Sequence, residues 1–337
     1  MTVKFAFVGF RHGHIDSLLA KVREDSATEL VAVCEEDETS RAALVAKGME
    51  VTHDDFETML ADVDCDVVAI GDYYGKRGSL AIRALEAGRH VIADKPLCTD
   101  LAELKRIGEL AAEKKLSVGC QLDMRGGPTR MTMRRIILSG AIGEVQTFSF
   151  SGQHPLMYGT RPDWYFEEGK HGGTINDIAI HAVDAIPWMT GREIVEVVAA
   201  RAWNAKATEA PFFGDCAQLM LRLDNGGGVI GDVSYLSPDK CGYGIRQYWR
   251  VTVHGTKGLV EIRCGDDMVM LATDDDAEPQ YIKAESDGSQ SYLHDFLDEI
   301  AGRTGNVQLT TALVLRAARI SLLTQKAADE GLTNLPC

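Results

Sequence analysis

The chain has 337 residues, 45% hydrophobic and 25% charged, with a formal net charge of −15 at pH 7. That length holds two domains with a core in each, and so acidic a balance speaks against nucleic acid or an anionic membrane as partner, since both demand a positive face. No apolar run reaches the roughly 18 residues that span a bilayer, no signal-peptide pattern opens the chain, and eight dispersed cysteines without a CxxC pair lead us to expect a reduced, cytoplasmic setting.

The first 120 residues alternate strand and helix patterns. "MTVKFAFV" reads as a buried strand ended by Gly9, and "IDSLLAKVRE" has the apolar spacing of a helix. Strands are expected at "ELVAVCE" (29–35), "CDVVAIG" (65–71), "HVIAD" (90–94) and "LSVGC" (116–120). Helices are expected at 38–48, 79–88 and 100–115, the first two closed by Gly48 and Gly88. Continuous apolar strands alternating with amphipathic helices imply a doubly wound parallel sheet covered on both faces. After "MTMRRIILSG" (131–140) the rhythm changes to successive strands: "EVQTFSFSG", "IVEVVAARAWN", "DCAQLMLRLDNGGGVIGDVSYL" and "QYWRVTVHGTKGLVEIRC". "WRVTVHG" alternates apolar and polar residues, so one face of its sheet is buried and the other free. Two helical stretches close the chain. The expected class is α/β followed by α+β: a dinucleotide-binding domain over 1–122 and a second domain over 123–337 built on a mostly antiparallel sheet.

The turn between the first strand and helix is where a dinucleotide pyrophosphate rests on a helix N-terminus. The fingerprint G-x-G-x-x-G would place glycines at 9, 11 and 14; this chain has Gly9, Arg11 and His14, with an off-pattern Gly13. Gly9 permits the tight exit from the strand. Arg11 blocks close backbone approach but offers a guanidinium to the same phosphates, and Gly13 supplies backbone freedom. A plain strand–turn–helix with nothing bound is the competing reading. His12 and His14 invite a metal, but two imidazoles without a third ligand type nearby are more often incidental; no metal is expected. Glu35 ends the second strand, where an acid accepts from the ribose hydroxyls, and with Glu36 and Asp37 beside it a 2′-phosphate is repelled, which favours NAD over NADP.

Four stretches, "ALEAGRHVIADKPL" (84–97), "SGAIGEV" (139–145), "GGTINDIAIHAVD" (172–184) and "VHGTKGLVEI" (253–262), occur in an order that resembles the Gfo/Idh/MocA family over essentially the whole chain. The resemblance implies a Rossmann domain, a C-terminal domain on a large open sheet, a nicotinamide cofactor and a homo-oligomer; the free face of the sheet carrying "WRVTVHG" is expected to be buried between the subunits of a dimer or tetramer. It also implies oxidation or reduction of a hydroxyl carbon on a sugar, cyclitol or related polyol. The family's E-K-P motif falls on Asp94, Lys95 and Pro96, and its D-x-G-x-H on Asp177, Ala179 and His181. Lys95, Asp177 and His181 thus retain the side chains that the family uses for chemistry: His181 as base, Lys95 as charge stabiliser, Asp177 as orienting group. The family's T-P-x-x-x-H turn meets Asp72 and Tyr73 at Thr-Pro and Arg77 at His, so Asp72 joins Gly9, Arg11, His12, Gly13, Glu35, Asp94 and Lys95 as an expected cofactor contact.

Structural alternatives stand beside these roles. Asp177 with Thr174 forms a possible capping box, and His181 is a possible core imidazole bonded to Asp184. The segment "HPLMYGTRPDWYFEEGKHGG" (154–173) mixes aromatic rings with donors, as a carbohydrate site does, and offers His154, Arg161 and Trp164 for substrate. Two further functions remain open: transient oxidation serving epimerisation or glycoside cleavage, and an NAD-binding sensor without turnover.

Overall fold

The computed structural model describes residues 2–286, 291–303, 305 and 307–337. The chain divides into two compact units, neither of them contiguous. The first comprises Met1–Gln121, Gly169–Gly172 and Gln290–Ala318; the second comprises Leu122–Glu168, Gly173–Ser289 and Arg319–Cys337. Sequence reasoning placed one cut near residue 122. It could not register that a C-terminal stretch returns to the first unit, because a helix pattern does not name the sheet it covers.

In the first unit, β1 (Val3–Val8), α1 (Ile15–Glu24), β2 (Thr28–Cys34), α2 (Glu38–Ala46), α3 (Phe56–Asp62), β3 (Val67–Ile70), α4 (Tyr74–Glu86), β4 (His90–Ala93), α5 (Leu101–Lys114) and β5 (Val118–Cys120) follow in chain order. The five strands form one parallel sheet in the order β2-β1-β3-β4-β5. Phe5 to Val8 and Val67 to Ile70 are buried almost completely, as expected of strands covered on both faces. Aspartates start three of the helices: Asp37, Asp55 and Asp100 accept from the backbone N–H of Ser40, Thr58 and Ala102. The carboxyl ends of β1, β3 and β4 therefore lie side by side, at the edge where open α/β sheets hold ligands.

The second unit contains α6 (Pro128–Leu138), β6 (Val145–Pro155), α7 (Ile180–Thr190), β7 (Ile194–Trp203), β8 (Cys216–Leu223), β9 (Gly228–Ser237), β10 (Arg250–Gly255), β11 (Gly258–Arg263), β12 (Met268–Thr273) and β13 (Gln280–Lys283). Two helices follow, α8 (Tyr292–Ile300) in the first unit and α9 (Thr311–Glu330), within which the division between units falls. The last strand, β14 (Thr333–Pro336), belongs to the second unit. Nine strands form one sheet, ordered β13-β12-β11-β10-β6-β9-β8-β7-β14. Among the described residues of this sheet only the β6–β9 pairing is parallel; the remaining pairs run antiparallel. Helices α6 and α7 lie against this sheet. In β10, Val251 and Val253 are buried while Arg250 and His254 are exposed, so the alternation read from the sequence is the alternation of faces. No helix of the described residues is long and apolar enough to cross a membrane.

Candidate active site

The nucleotide half is built at the turn after β1. Gly9 takes φ +76°, and a Cβ there would stand 2.6 Å from Cβ of Asp72. Only glycine fits, both for its left-handed backbone and for the close approach of β3. Gly13 differs from expectation: its φ is not in the left-handed region, so it supplies no special backbone freedom. A Cβ on Gly13 would meet nothing within 4 Å, which leaves open space beside the start of α1.

The charged residues of this turn hold one another. Arg11 forks onto Asp72, Nε to Oδ1 at 2.5 Å and Nη2 to Oδ2 at 2.9 Å, and its guanidinium lies 4.4 Å above the ring of Tyr73. The guanidinium expected to face phosphate is thus oriented by a carboxylate. Glu35 is fully buried and accepts from the N–H of Phe10 at 2.6 Å and of Asp37 at 2.9 Å. Burial pushes its carboxyl above the ordinary value. Glu35 therefore braces the turn from the end of β2.

Beneath the end of β4 lies an arrangement that the sequence disclosed only as a departure from pattern. Arg77 is fully buried and donates to the carbonyls of Asp72 (2.7 Å), Asp94 (3.0 Å) and Lys95 (2.6 Å), and to the Asp94 carboxylate at 2.9 Å. His12 reaches the same Asp94 oxygen with Nδ1, and its Nε2 lies 3.1 Å from the Tyr74 hydroxyl. Burial alone would raise the Asp94 carboxyl; Arg77 and His12 outweigh it and hold it well below the carboxylate range. His14, largely exposed, turns Nδ1 towards the other Asp94 oxygen at 3.5 Å. The premise that His12 and His14 lack a third ligand type is therefore corrected: Asp94, 80 residues on, supplies it, through a strand pairing that local spacing cannot reveal. Lys95 follows through a cis Lys95–Pro96 bond and is buried, its ammonium 6.0 Å from the centre of the Tyr74 ring.

The second unit assembles its own cluster. Residues Ile175–Ala179 form a π-helical turn leading into α7, so Asp177 sits on a widened turn rather than on the regular α-helix expected. π-Turns inside helices recur at functional sites. The Asp177 carboxylate accepts from the Tyr235 hydroxyl, and burial, then Asp177 itself, raise Tyr235 well above its ordinary value, which keeps it a donor. The capping-box alternative fails: Thr174 donates to the carbonyl of Gly214 and caps nothing. Asp184, the partner expected for His181, is gripped by Arg125 at 2.9 and 2.7 Å. His181 has Nδ1 3.6 Å from Asp123 and its ring edge-on to Trp249 at 5.9 Å.

His154 stands in an aromatic surround of Tyr248, Tyr243, Tyr235 and Trp249, with ring centres 4.9 to 6.3 Å away. Arg161 lies over the rings of Tyr165 and Tyr235 and donates to the carbonyls of Leu156 and Pro155. Trp164 is buried against Tyr165, which makes it a packing residue of this loop. The same unit thus brings His154, Arg161, Asp177 and His181 around Tyr235 and Trp249, two residues that sequence reasoning did not single out. A buried Tyr on a strand 58 positions beyond its aspartate leaves no local signal.

Comparison with known proteins decides the family. Residues 3–121 match the oxidoreductase family with an NAD-binding Rossmann fold, and residues 131–261 match the GFO/IDH/MocA C-terminal domain. The chain belongs to the Gfo/Idh/MocA oxidoreductase family. It is 26% identical to an inositol 2-dehydrogenase of Rhizobium meliloti, over 87% of this chain and 88% of that protein. It is 28% identical to the scyllo-inositol 2-dehydrogenase (NAD(+)) of Bacillus subtilis, over 66% of this chain and 63% of that one. An inositol dehydrogenase homolog complexed with NAD+ from Azotobacter vinelandii superposes with a TM-score of 0.81 at 16% identity, covering 100% of this chain and 98% of that one, and shares the fold. The chain is thus an oxidoreductase with an NAD-binding Rossmann domain.

Proposed function

We propose that this protein is an NAD-dependent dehydrogenase that oxidises a secondary hydroxyl of a sugar, cyclitol or related polyol. The observation that carries the reading is the retention of Lys95, Asp177 and His181 in a chain matched to the family in both of its domains. The turn suits a dinucleotide: Gly9 keeps the close approach of β1 and β3, and the space beside Gly13 adjoins the N-terminus of α1. Gly9, Arg11, His12, Gly13, Glu35, Asp72, Asp94 and Lys95 are the residues assigned to hold it. The acidic Glu35–Asp37 run supports NAD over NADP, because a 2′-phosphate would meet like charge. When bound, the nicotinamide accepts the hydride.

The protein's own residues do the rest. His181 takes the hydroxyl proton, as a neutral imidazole is suited to do. Lys95 steadies the charge that develops on oxygen. Asp177, fixed by Tyr235, orients the reacting group, and His154 and Arg161 meet the remaining hydroxyls from an aromatic surround that suits the apolar faces of a carbohydrate. The exposed face of the nine-stranded sheet is assigned to self-association as a dimer or tetramer.

A panel of sugars, cyclitols and their acids, read by nicotinamide absorbance with NAD and NADP side by side, tests the reading. The expected result is turnover with at least one secondary alcohol and preference for NAD. Binding of NAD with no turnover across the panel would return the protein to a sensing role. Product of altered configuration, or a cleaved glycoside, would point to transient oxidation.

A further inference from the structure

We propose that His12, His14 and Asp94 form a site for a divalent ion of the zinc type. The three donor groups come from two places, the turn before α1 and the end of β4, and their ligating atoms lie within 4.8 Å of one another. Two imidazoles and one carboxylate are a donor set that zinc and its late first-row neighbours take, with a fourth position left for water or another ligand. Around a tetrahedral ion with bonds of about 2.0–2.2 Å, donors stand roughly 3.3 Å apart. Closure therefore asks for only a modest adjustment, and His14, an exposed side chain that makes no helix-cap bond, is free to make it.

The second observation is on Asp94 itself. Its side chain is completely buried, and its two oxygens differ. Oδ2 takes Arg77 and His12, whereas Oδ1 has no hydrogen-bond partner among the described residues. A buried anionic oxygen left without a donor is costly, and this one faces His14 Nδ1 at 3.5 Å. A cation at that point satisfies it. The surroundings also provide what a metal-bound imidazole needs. Metal binding exchanges the hydrogen bond between His12 Nδ1 and Asp94 Oδ2 for a bond from Nδ1 to the ion; Nε2 then carries the ring proton and donates to the Tyr74 hydroxyl, 3.1 Å away, which fixes the ring and its tautomer. Arg77 holds the far side of the carboxylate at 2.9 Å. Its charge lowers the affinity below that of an isolated His–His–Asp set, so the site is of moderate strength. A bound ion ties the turn after β1 to the end of β4.

The test uses the tag-free, full-length protein and metal alone. Zn2+ is titrated calorimetrically and Co2+ by its ligand-field absorption, in wild type and in His14→Ala, with circular dichroism to establish that the variant is folded. The expected result is one ion per chain in wild type, binding weakened at least about tenfold in His14→Ala, and a Zn2+-induced shift of the His12 ring nitrogens by NMR. Binding of equal strength in the two proteins would place the ion elsewhere, for instance on exposed Cys241, and would overturn the site. So would unmoved His12 resonances, or no binding at millimolar metal. Should His14→Ala fail to fold, His14→Gln carries the same comparison.

Discussion

At the scale of single residues, His181 lies edge-on to the Trp249 ring, with Nδ1 3.6 Å from the exposed carboxylate of Asp123. Replacing it by Asn keeps a hydrogen-bonding group of similar reach that cannot take a proton. Turnover is expected to fall by roughly a hundredfold to ten-thousandfold, while NAD affinity by calorimetry stays unchanged. Lys95→Ala is expected to cost a similar factor, and the double variant less than the product, because residues acting as one unit are not additive. Near-normal turnover in a stable His181→Asn protein would remove the proton-acceptor role. Lys95, Asp177 and His181 could be proposed from the sequence because each sits in a short motif whose spacing survives there. Arg77 and Asp94 were legible only as departures and His12 only as a residue of the turn, since what joins them is the adjacency of β1, β3 and β4. Tyr235 and Trp249 were not legible at all: each reads as an ordinary aromatic residue of a strand region, and only the folded sheet brings them to the helix that carries Asp177 and His181.

At the scale of elements, most strands and helices of the parallel sheet could be read to within two residues of their ends, because continuous apolar runs mark them, although α4 starts at Tyr74, five residues before the expected 79. The seven-residue α3 and the strands β12, β13 and β14 could not. They are short, and β13 and β14 lie at sheet edges with mostly exposed residues, so neither periodicity nor hydrophobicity singles them out. The π-turn is equally hidden, since one widened turn leaves the apolar pattern intact. On the open face of the nine-stranded sheet, Glu261 ties β10 to β11. It accepts from Arg250 at 2.5 Å and Thr252 at 2.7 Å, and from Arg263 at 2.6 Å. Burial pushes its carboxyl up, but these partners outweigh burial and hold it below its ordinary value. A carboxylate held low in the folded state stabilises above its ordinary value, and that stabilisation fades as pH falls through the folded value. Glu261→Gln should therefore cost roughly 1–3 kcal/mol at neutral pH and less below about pH 4. Denaturant unfolding at the two pH values checks this. An equal loss at both would mean that charge has no part in the tie.

At the scale of the whole molecule, the sheet presents apolar side chains to solvent. Met220 and Ile230 are direct cross-strand partners, 46% and 57% exposed, and Leu236 lies further along β9 at 47%. Apolar groups gathered on an open sheet face mark an association surface. Light scattering at micromolar concentration should give a dimer or tetramer, and a charged residue at Ile230 should shift the mass towards one chain. A wild-type monomer under those conditions would contradict the assignment. The first unit has a different dependence, on the order in which the chain is made. Its last strand, β5, is completed by residues far downstream: the Val118 N–H donates to the Thr311 hydroxyl at 2.8 Å, Gln121 donates to the Tyr292 hydroxyl at 2.9 Å, and Phe296 lies against Gly119. A ribosome that has released all five strands has still not released the helices that cover the fifth. During synthesis of the intervening stretch the edge of the nucleotide domain stays bare, and a chain cut short there is left with an open β-edge as its most adhesive surface.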